Sequence, residues 1–406
     1  MSDLKVPYFR PPIVDADVEA VAAAVRSGWL TSGPQAKRFE TEFAAAVGAK
    51  HALAVNSCTA ALHLAVEALD LRPGQAVLVP TMTFAATAEV VRYQGAHPLL
   101  VDCDPVTSHM DLADAERKIE ALRAGKLPAS LPADAPVVGI TPVHVAGLMM
   151  DVDRVKRFAA AHGLWTVEDS AHSFPAAWRP GPDAPWTRCG ENTSKIGCFS
   201  FYANKTITTG EGGMAVTDDD ALAGRMRVMS LHGLSHDAWG RYAGGPWDYR
   251  IVAPGFKYNL TDMAAALGLT QLGRAEALRA ERDALAMRYR AALADVDELE
   301  LPPAPPDRVH AWHLFPIRLR LDRLKVGRNQ VMEDLKQCGV GTSVHWRPLH
   351  LHPYYQEGFG WRPEHLPAAT AIWERLISLP IFPGMREDEF DHVVRTLRAV
   401  CARHAR

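Results

Sequence analysis

Between about residue 40 and residue 220, short apolar runs rich in β-branched residues alternate with helical patterns. This alternation is typical of repeated βαβ units, because parallel strands must be joined by crossover connections that are usually helices. It predicts an α/β fold with a largely parallel central sheet. The predicted strands are His51–Val55, Ala76–Val79, His97–Val101, Pro136–Val143, Leu164–Glu168, Ile196–Phe201 and Gly213–Thr217, and the predicted helices are Thr59–Ala68, Ala85–Gln94, Met110–Ala124 and Val152–His162.

A long amphipathic pattern at residues 274–296 is followed by the proline-rich stretch Leu301–Pro306, and this change indicates a boundary. The sequence therefore predicts a large unit, residues 1–270, and a smaller α+β unit, residues 271–406, with the 274–296 helix linking them. Within the smaller unit we predict strands at Trp312–Leu321 and Gly341–His345 and helices at Val326–Cys338 and Glu387–Arg403.

The overall charge excludes several classes of partner. A formal net charge of −3 gives no general attraction to nucleic acid or to anionic membranes, so neither is expected as a partner.

No apolar stretch is long enough to span a bilayer and the first residues do not resemble a signal peptide, so we expect a cytoplasmic protein. The six cysteines show no CxxC pair, which argues against a disulfide framework or a zinc site, and no metal is expected.

Lys205 lies in a stretch of small, aromatic and hydroxyl residues, Cys198–Thr217, in which Glu211 is the other charged residue. A lysine in such surroundings tends to be desolvated, which lowers the pKa of its amine and makes the neutral form available for Schiff-base chemistry. Lysines are mostly exposed, however, so a solvated surface residue is the alternative. The neighbouring motifs decide between these two interpretations.

The segment containing Ser57, Cys58 and Thr59 leads from a predicted strand into a predicted helix. Small hydroxyl residues at a helix start leave backbone N–H groups free and add O–H donors, an arrangement that suits a phosphate group. Ordinary helix capping by Ser57 or Thr59 explains the same residues equally well.

Phe84 follows the next predicted strand and a turn, at the strand end where open α/β sheets bind ligands. A flat ring at this place could stack on an aromatic cofactor. Taken alone, a core phenylalanine is the simpler interpretation.

A third predicted strand ends in the adjacent carboxylates Glu168 and Asp169, and His172 follows closely. A carboxylate at a strand end could pair with a protonated ring nitrogen and increase the capacity of a cofactor to accept electrons. The alternatives are a helix N-cap for Asp169 and a structural histidine for His172.

These elements occur in one order along one predicted sheet: a phosphate-suited helix start, an aromatic ring, a strand-end acid and an isolated lysine. Together they meet the needs of pyridoxal phosphate, because Ser57–Thr59 could anchor the phosphate, Phe84 could stack on the ring, Asp169 could keep the ring nitrogen protonated and Lys205 could bind the cofactor covalently.

The chain resembles the DegT/DnrJ/EryC1/StrS sugar aminotransferases, which have the type I (aspartate aminotransferase-like) pyridoxal-phosphate-dependent transferase fold. The motifs look most like those of members that make UDP-4-amino-4-deoxy-L-arabinose from its 4-keto precursor and glutamate. The resemblance is carried by GWLTSGP, NSCTAALHLA, PTMTFAATAEVV, PVHVAG, VEDSAH, FSFYANKTITTGEGGMAVTDDD, PGFKYNLTDMAAALGLTQL, HAWHLFPIRL and GTSVHWRPLHLHPYY.

The resemblance implies roles for particular residues. Lys205 would hold the cofactor and act as the general base for proton transfer, Asp169 would bind the pyridine nitrogen, and His172 would lie near the 3-hydroxyl of the cofactor. Phosphate contacts are implied for Cys58, Thr59 and Ser200.

The resemblance also implies a homodimer in which Asn259 reaches the phosphate of the partner subunit. L-glutamate would be the amino donor, 2-oxoglutarate its product, and a nucleotide-linked keto sugar the acceptor, for use in surface polysaccharide, lipopolysaccharide or glycoside biosynthesis. His232, Lys257 and His345 are further candidates for contacts to the sugar or the diphosphate.

The chain departs from the family pattern in two places. Cys58 stands where many relatives have Gly or Ala, and because the expected contact is made by the backbone N–H we predict little effect. Residues 176–197 form a longer and more irregular connection than is usual, which predicts a surface loop near the site.

Three other functions are compatible with the same fold. Sugar dehydratases of the family have histidine at the position of Lys205, so they are disfavoured. A non-catalytic, DegT-like regulator would have no need of Lys205 together with Asp169. A type I aminotransferase acting on amino acids alone would turn over without any nucleotide sugar.

Overall fold

The protein is described by a computed structural model that covers residues 4–234 and 250–406. Its strands are β1 (His51–Val55), β2 (Ala76–Pro80), β3 (His97–Val101), β4 (Val137–Ile140), β5 (Trp165–Asp169), β6 (Ala177–Trp178), β7 (Thr187–Arg188), β8 (Ile196–Ser200), β9 (Gly213–Thr217), β10 (Leu299–Glu300), β11 (Arg308–Val309), β12 (Phe315–Leu319) and β13 (Leu376–Leu379). Its helices are α1 (Asp15–Arg26), α2 (Pro34–Val47), α3 (Cys58–Ala68), α4 (Ala86–Tyr93), α5 (Leu112–Arg123), α6 (Val152–His162), α7 (Asp220–Met229), α8 (Asp262–Leu272), α9 (Ala275–Ala292), α10 (Arg328–Gln337), α11 (Pro353–Phe359), α12 (Pro367–Arg375) and α13 (Glu387–His404).

A seven-stranded sheet with the order β1-β9-β8-β5-β4-β2-β3 forms the centre of the fold. Strand β9 runs antiparallel to its neighbours β1 and β8, and the other pairs are parallel, which confirms the predicted sheet. Because side chains alternate along a strand, Leu53 packs into one apolar core while Ala52 and Ala54 pack into another on the opposite face. Burial on both faces explains why the strands read as continuous apolar runs.

A smaller antiparallel sheet, β10-β12-β13, has a core of its own. Along β12, Phe315, Ile317 and Leu319 alternate into this core, where they meet apolar residues of α9, α10, β13 and α13. Val6, near the start of the chain, is also buried there and pairs with Val340. The core of the second sheet is therefore closed by residues from both ends of the sequence.

The connection at residues 176–197 folds as a short hairpin. Strands β6 and β7 pair with each other, and β6 also pairs with β11 to give a three-stranded sheet. Trp178 and Cys189 are buried, whereas the turn between the strands is partly exposed. The hairpin thus attaches the large sheet to the chain segment that precedes β12.

The predicted elements agree with the structure except at short or polar segments. The predicted strand Gly341–His345 is wrong: Gly341 N–H bonds to Val6 and Ser343 makes a single bridge to Ser378, so no ladder forms. The predicted strand Pro136–Val143 is shortened to β4. Helices α1, α2, α7, α8, α11 and α12 had no sequence prediction.

Across residues 4–234 and 250–406, no helix has the length and apolar character that crossing a bilayer requires. The same ranges contain no group of three or more His, Cys, Asp or Glu side chains arranged to bind a metal ion.

Candidate active site

A cavity of about 580 Å³ opens at the edge of the large sheet where β1, β2, β5 and β8 end. Open α/β sheets bind ligands at this edge because the connections there diverge from the strand ends. The structure brings most of the predicted site residues to this one cavity. Its wall includes Ser57, Cys58, Thr59, Phe84, Asp169, His172, Ser200, Lys205 and His345.

Lys205 lies in the cavity wall a short distance beyond the end of β8. Burial lowers the pKa of its amine to about 8, against the opposing effect of the Asp169 carboxylate. Its Nζ atom is 3.4 Å from Nε2 of His313. A lysine whose pKa is this low supplies the neutral amine at a pH near neutrality, as covalent chemistry with a carbonyl group requires.

Asp169 is the last residue of β5 and is buried. Its Oδ2 accepts a hydrogen bond of 2.7 Å from Thr87 Oγ1, and its Oδ1 accepts one of 3.1 Å from the backbone N–H of Ala171. Burial raises the pKa of this carboxyl, and the hydrogen bonds and the nearby Lys205 oppose that rise. Turns rather than a helix follow Asp169, so it is not a helix N-cap.

The adjacent carboxylate, Glu168, faces away from the cavity. Strand alternation places it on the other side of β5, where its Oε2 accepts a 2.6 Å hydrogen bond from Thr193 and lies 3.5 Å from Nε2 of His144. Of the two neighbouring acids, Asp169 is the one available to a ligand.

The start of α3 forms one side of the cavity. Ser57 is its N-cap, and Ser57 Oγ accepts the backbone N–H of Ala60 at 3.1 Å, as helix capping predicts. The N–H groups of Cys58 and Thr59 are in the first turn and have no intrahelical acceptor, so they are available to an anion. An anion bound here would therefore contact the backbone of the helix start more than the Ser57 side chain.

Gly213, the first residue of β9, is packed directly against this helix start. A Cβ atom on Gly213 would lie within 2.5 Å of backbone atoms of Ser57 and Cys58. We expect Gly213→Ala to lower the free energy of unfolding by about 1–3 kcal/mol, by overpacking, and to weaken cofactor binding because α3 must shift. Urea unfolding and a cofactor titration measure the two effects.

Gly224→Ala is the matched control for this prediction, because a Cβ at Gly224 in α7 meets nothing within 4 Å. It should be neutral or stabilising by up to about 1 kcal/mol, since alanine has the higher helix propensity. Equal stabilities for the two variants would contradict the prediction.

Two aromatic surfaces border the cavity. The Phe84 ring is 63% exposed, so it is not a core phenylalanine. His172 is buried, stacks on Trp346 with centroids 4.8 Å apart, and lies 4.2 Å from the ring of His313. Its Nδ1 atom has no hydrogen-bond partner in the part of the chain that the structure describes.

Several cavity residues had no sequence prediction: Thr83, Tyr202, Asn204, His313 and Trp346. His313 belongs to the HAWHL motif and Trp346 follows His345, so both lie in segments that carried the family resemblance. The motifs identified both residues as features of the family, but the sequence around each residue gave no indication that it would lie beside Lys205.

His232, Lys257 and Asn259 lie outside the cavity wall of their own chain. Lys257 Nζ donates to Asn259 Oδ1, and Asn259 Nδ2 donates to Ser32 Oγ at 2.8 Å. Both residues line a separate, smaller depression of about 100 Å³, and His232 is exposed. Residues 176–197, all of which the structure describes, contribute no residue to the cavity wall, and a role for this segment beside the site stays a prediction.

The cavity suits pyridoxal phosphate. It combines an amine of lowered pKa with a buried carboxylate, the free N–H groups of a helix start and an exposed aromatic ring. Buried polar atoms at its wall, Nδ1 of His172 and Oδ1 of Asn204, have no partner among the described residues and would gain one from a polar ligand. Fold and site together define a pyridoxal-phosphate-dependent transferase of the type I fold.

The chain belongs to the DegT/DnrJ/EryC1/StrS aminotransferase family, whose model matches residues 11–398. It is 40% identical over 397 residues to the spore coat polysaccharide biosynthesis protein SpsC of Bacillus subtilis, covering 97% of each chain. The structure is similar to a putative sugar aminotransferase, Spr1654, from Streptococcus pneumoniae in its pyridoxal-phosphate form (TM-score 0.85, 28% identity, 98% and 99% coverage). It is also similar to DesV from S. venezuelae (TM-score 0.84, 30% identity, 98% of each chain covered).

These findings confirm the predicted family, fold and cofactor. The protein is an aminotransferase that uses pyridoxal phosphate.

Proposed function

We propose that this enzyme transfers the amino group of L-glutamate to the keto group of a nucleotide-linked sugar, with a UDP-linked 4-keto sugar as the acceptor. The product is an amino sugar for surface polysaccharide, lipopolysaccharide or glycoside biosynthesis. The observation that carries the proposal is the placement of Lys205 and Asp169 in one cavity of a chain related to SpsC and DesV.

Each proposed role follows from the position of a residue in the cavity. When bound, pyridoxal phosphate supplies an electron sink that makes the α-proton of an amino acid acidic. Lys205 then holds and moves that proton, and Asp169 offers its carboxylate to the protonated ring nitrogen. The start of α3 would hold the phosphate through the N–H groups of Cys58 and Thr59, with Ser200 as an additional donor.

Substrate contacts come from the rim of the cavity. His172 and His345 line the cavity; in this proposal His172 would lie near the 3-hydroxyl of the cofactor and His345 would contact the sugar. Lys257 and His232, which lie outside the cavity of their own chain, would reach the nucleotide diphosphate in the partner subunit of a homodimer.

A substrate panel tests the function. Purified enzyme is incubated with glutamate and UDP-, GDP- or dTDP-linked 4-keto sugars, and the products are identified by mass spectrometry. An amino sugar and 2-oxoglutarate in equal amounts support the proposal. Loss of water from the sugar would indicate a dehydratase, turnover with keto acids alone would indicate an amino-acid aminotransferase, and no turnover with any substrate would favour a regulatory protein; each of these outcomes overturns the proposal.

The proposed contact of Asn259 with the cofactor of the partner subunit leads to a separate prediction. Asn259→Asp places a negative charge where the phosphate of the partner's cofactor would lie, so it should weaken cofactor binding and activity at limiting cofactor. Coexpression of this variant with Lys205→Ala should restore activity, because about a quarter of the sites in randomly assembled dimers then carry neither change. Activity that stays at the sum of the two separate variants would show that Asn259 does not act across subunits.

A further inference from the structure

The segment His310–His313 lies just before β12 of the smaller antiparallel sheet, and His313 at its end lines the cavity. Trp312 has a φ of +47° there, in the left-handed region that a bulky residue rarely adopts. Such a conformation persists only where the surrounding structure enforces it, and it is common at functional sites.

Three side chains enforce this conformation. Arg282 of α9 is buried, and its Nη1 donates to the carbonyl oxygens of Trp312 (3.3 Å) and His313 (3.4 Å). Asp283 accepts the indole N–H of Trp312 at 2.8 Å. His310 accepts the backbone N–H of Trp312 at 2.8 Å and stacks on its ring with centroids 3.8 Å apart.

The result of these contacts is the position of one imidazole. His313 is buried, and its Nε2 lies 3.4 Å from Nζ of Lys205. Its other nitrogen, Nδ1, has no hydrogen-bond partner among residues 4–234 and 250–406. The ionisable groups that face the pair or line the same cavity are Asp169 at the end of β5, Cys58 of α3, His172, His345, Tyr202, Glu211 and the Arg282 guanidinium behind His313.

We propose that His313 is a positioning residue for Lys205: its neutral imidazole accepts a hydrogen bond at Nε2 from the free amine and fixes the direction of that amine in the cavity. Burial and the adjacent cationic groups lower the pKa of His313, so the ring is uncharged. Below a pH of about 8 the Lys205 amine is mostly in its ammonium form, which only donates, so the nearby Nε2 is the acceptor and the ring proton is on Nδ1. This inference rests on the proposed role of Lys205.

The test compares an acceptor with an apolar residue at position 313. In His313→Gln the side-chain oxygen can still accept, whereas in His313→Leu it cannot. Because an accepted hydrogen bond favours the charged amine, the leucine variant should lower the pKa of Lys205 by about one unit from its value near 8, and the glutamine variant should leave it near 8.

The pKa is measured in the full-length, cofactor-free chain, from the pH dependence of Lys205 acetylation by acetic anhydride followed by peptide mass spectrometry. Circular dichroism confirms that each variant is folded, and His313→Phe replaces the leucine variant if that one unfolds. A lower Lys205 pKa in His313→Leu together with an unchanged Lys205 pKa in His313→Gln supports the proposal. The proposal is overturned if the acetylation midpoint of Lys205 is the same in the native protein and all variants, or if His313→Leu and His313→Gln shift it equally.

Holoenzyme kinetics give the second readout. The apolar variant should lower kcat by about tenfold with little change in KM for glutamate, since the amine is misdirected but binding is retained. His109→Leu, which removes another buried histidine that lies outside the cavity, should leave the Lys205 pKa and kcat unchanged. An active Lys205→Ala enzyme would overturn the proposed function itself. If Lys205→Ala is inactive but the variants at position 313 do not differ in the pKa of Lys205, only the positioning role of His313 is overturned.

Discussion

Replacing Lys205 with alanine is expected to lower the rate of amino transfer by about 10⁴-fold or more, because in the proposed function the same side chain binds the cofactor and moves the proton. Lys205 is partly buried at the wall of an open cavity, so its loss leaves the cores intact and the variant should remain folded. Single-turnover measurements with glutamate give the rate, and borohydride reduction of the native enzyme should fix the cofactor on Lys205.

Lys195→Ala is the matched control for Lys205→Ala. Lys195 directly precedes β8, the strand whose other end leads to Lys205, and its side chain is exposed. Its removal should change the rate by less than twofold or so, as is usual for a surface substitution of small energetic effect. Substantial activity in Lys205→Ala, or an equal loss in both variants, would refute the role of Lys205.

The second large effect is expected for Asp169→Asn, which keeps the size of the side chain and its acceptor for Thr87 but removes the negative charge. A ring nitrogen that is no longer held protonated withdraws electrons less well, so kcat should fall by about 10²–10³-fold, the usual cost of losing one preorganised electrostatic contact. The absorbance spectrum of the bound cofactor should change as well, and a spectrophotometric titration records it.

Glu168→Gln separates the charge effect from a general effect of altering β5. This carboxylate is the chain neighbour of Asp169 but lies on the opposite face, against Thr193 and His144. Its replacement should lower stability and leave kcat and the cofactor spectrum close to those of the native enzyme. A fall in kcat as large as that of Asp169→Asn would contradict the assignment.

The sequence predicted the large sheet well because its signals are local. Buried parallel strands require continuous apolar runs, and β1, β3 and β9 have the predicted bounds. The positions of Phe84, Asp169 and Lys205 followed from a geometric rule, since the carboxyl ends of parallel strands meet at one edge. The division of the chain near residue 270 remains a prediction.

The features that the sequence did not predict are fixed by contacts between segments that are far apart in the chain. His313 lies 108 residues from Lys205 in the chain, and its place is set by a strained Trp312 that Arg282 and Asp283 enforce. No pattern within a short window contains that information. The predicted strand Gly341–His345 failed for a related reason, because its backbone groups bond to Val6 and Ser378 rather than to one neighbouring strand.

The burial of Val6 in the core of the second sheet sets an order of events during synthesis. Ribosomes release the N-terminal part of a chain first, and domains generally fold as they emerge. Val6 pairs with Val340, and the core in which it is buried also contains Leu397 and Val400 of α13, so this core cannot close before those residues have been made. The large sheet can form earlier, but the core that holds Trp312, the neighbour of His313, closes only once α13 has been made, so the His313 side of the cavity is fixed later than the strand ends that carry Asp169 and Lys205.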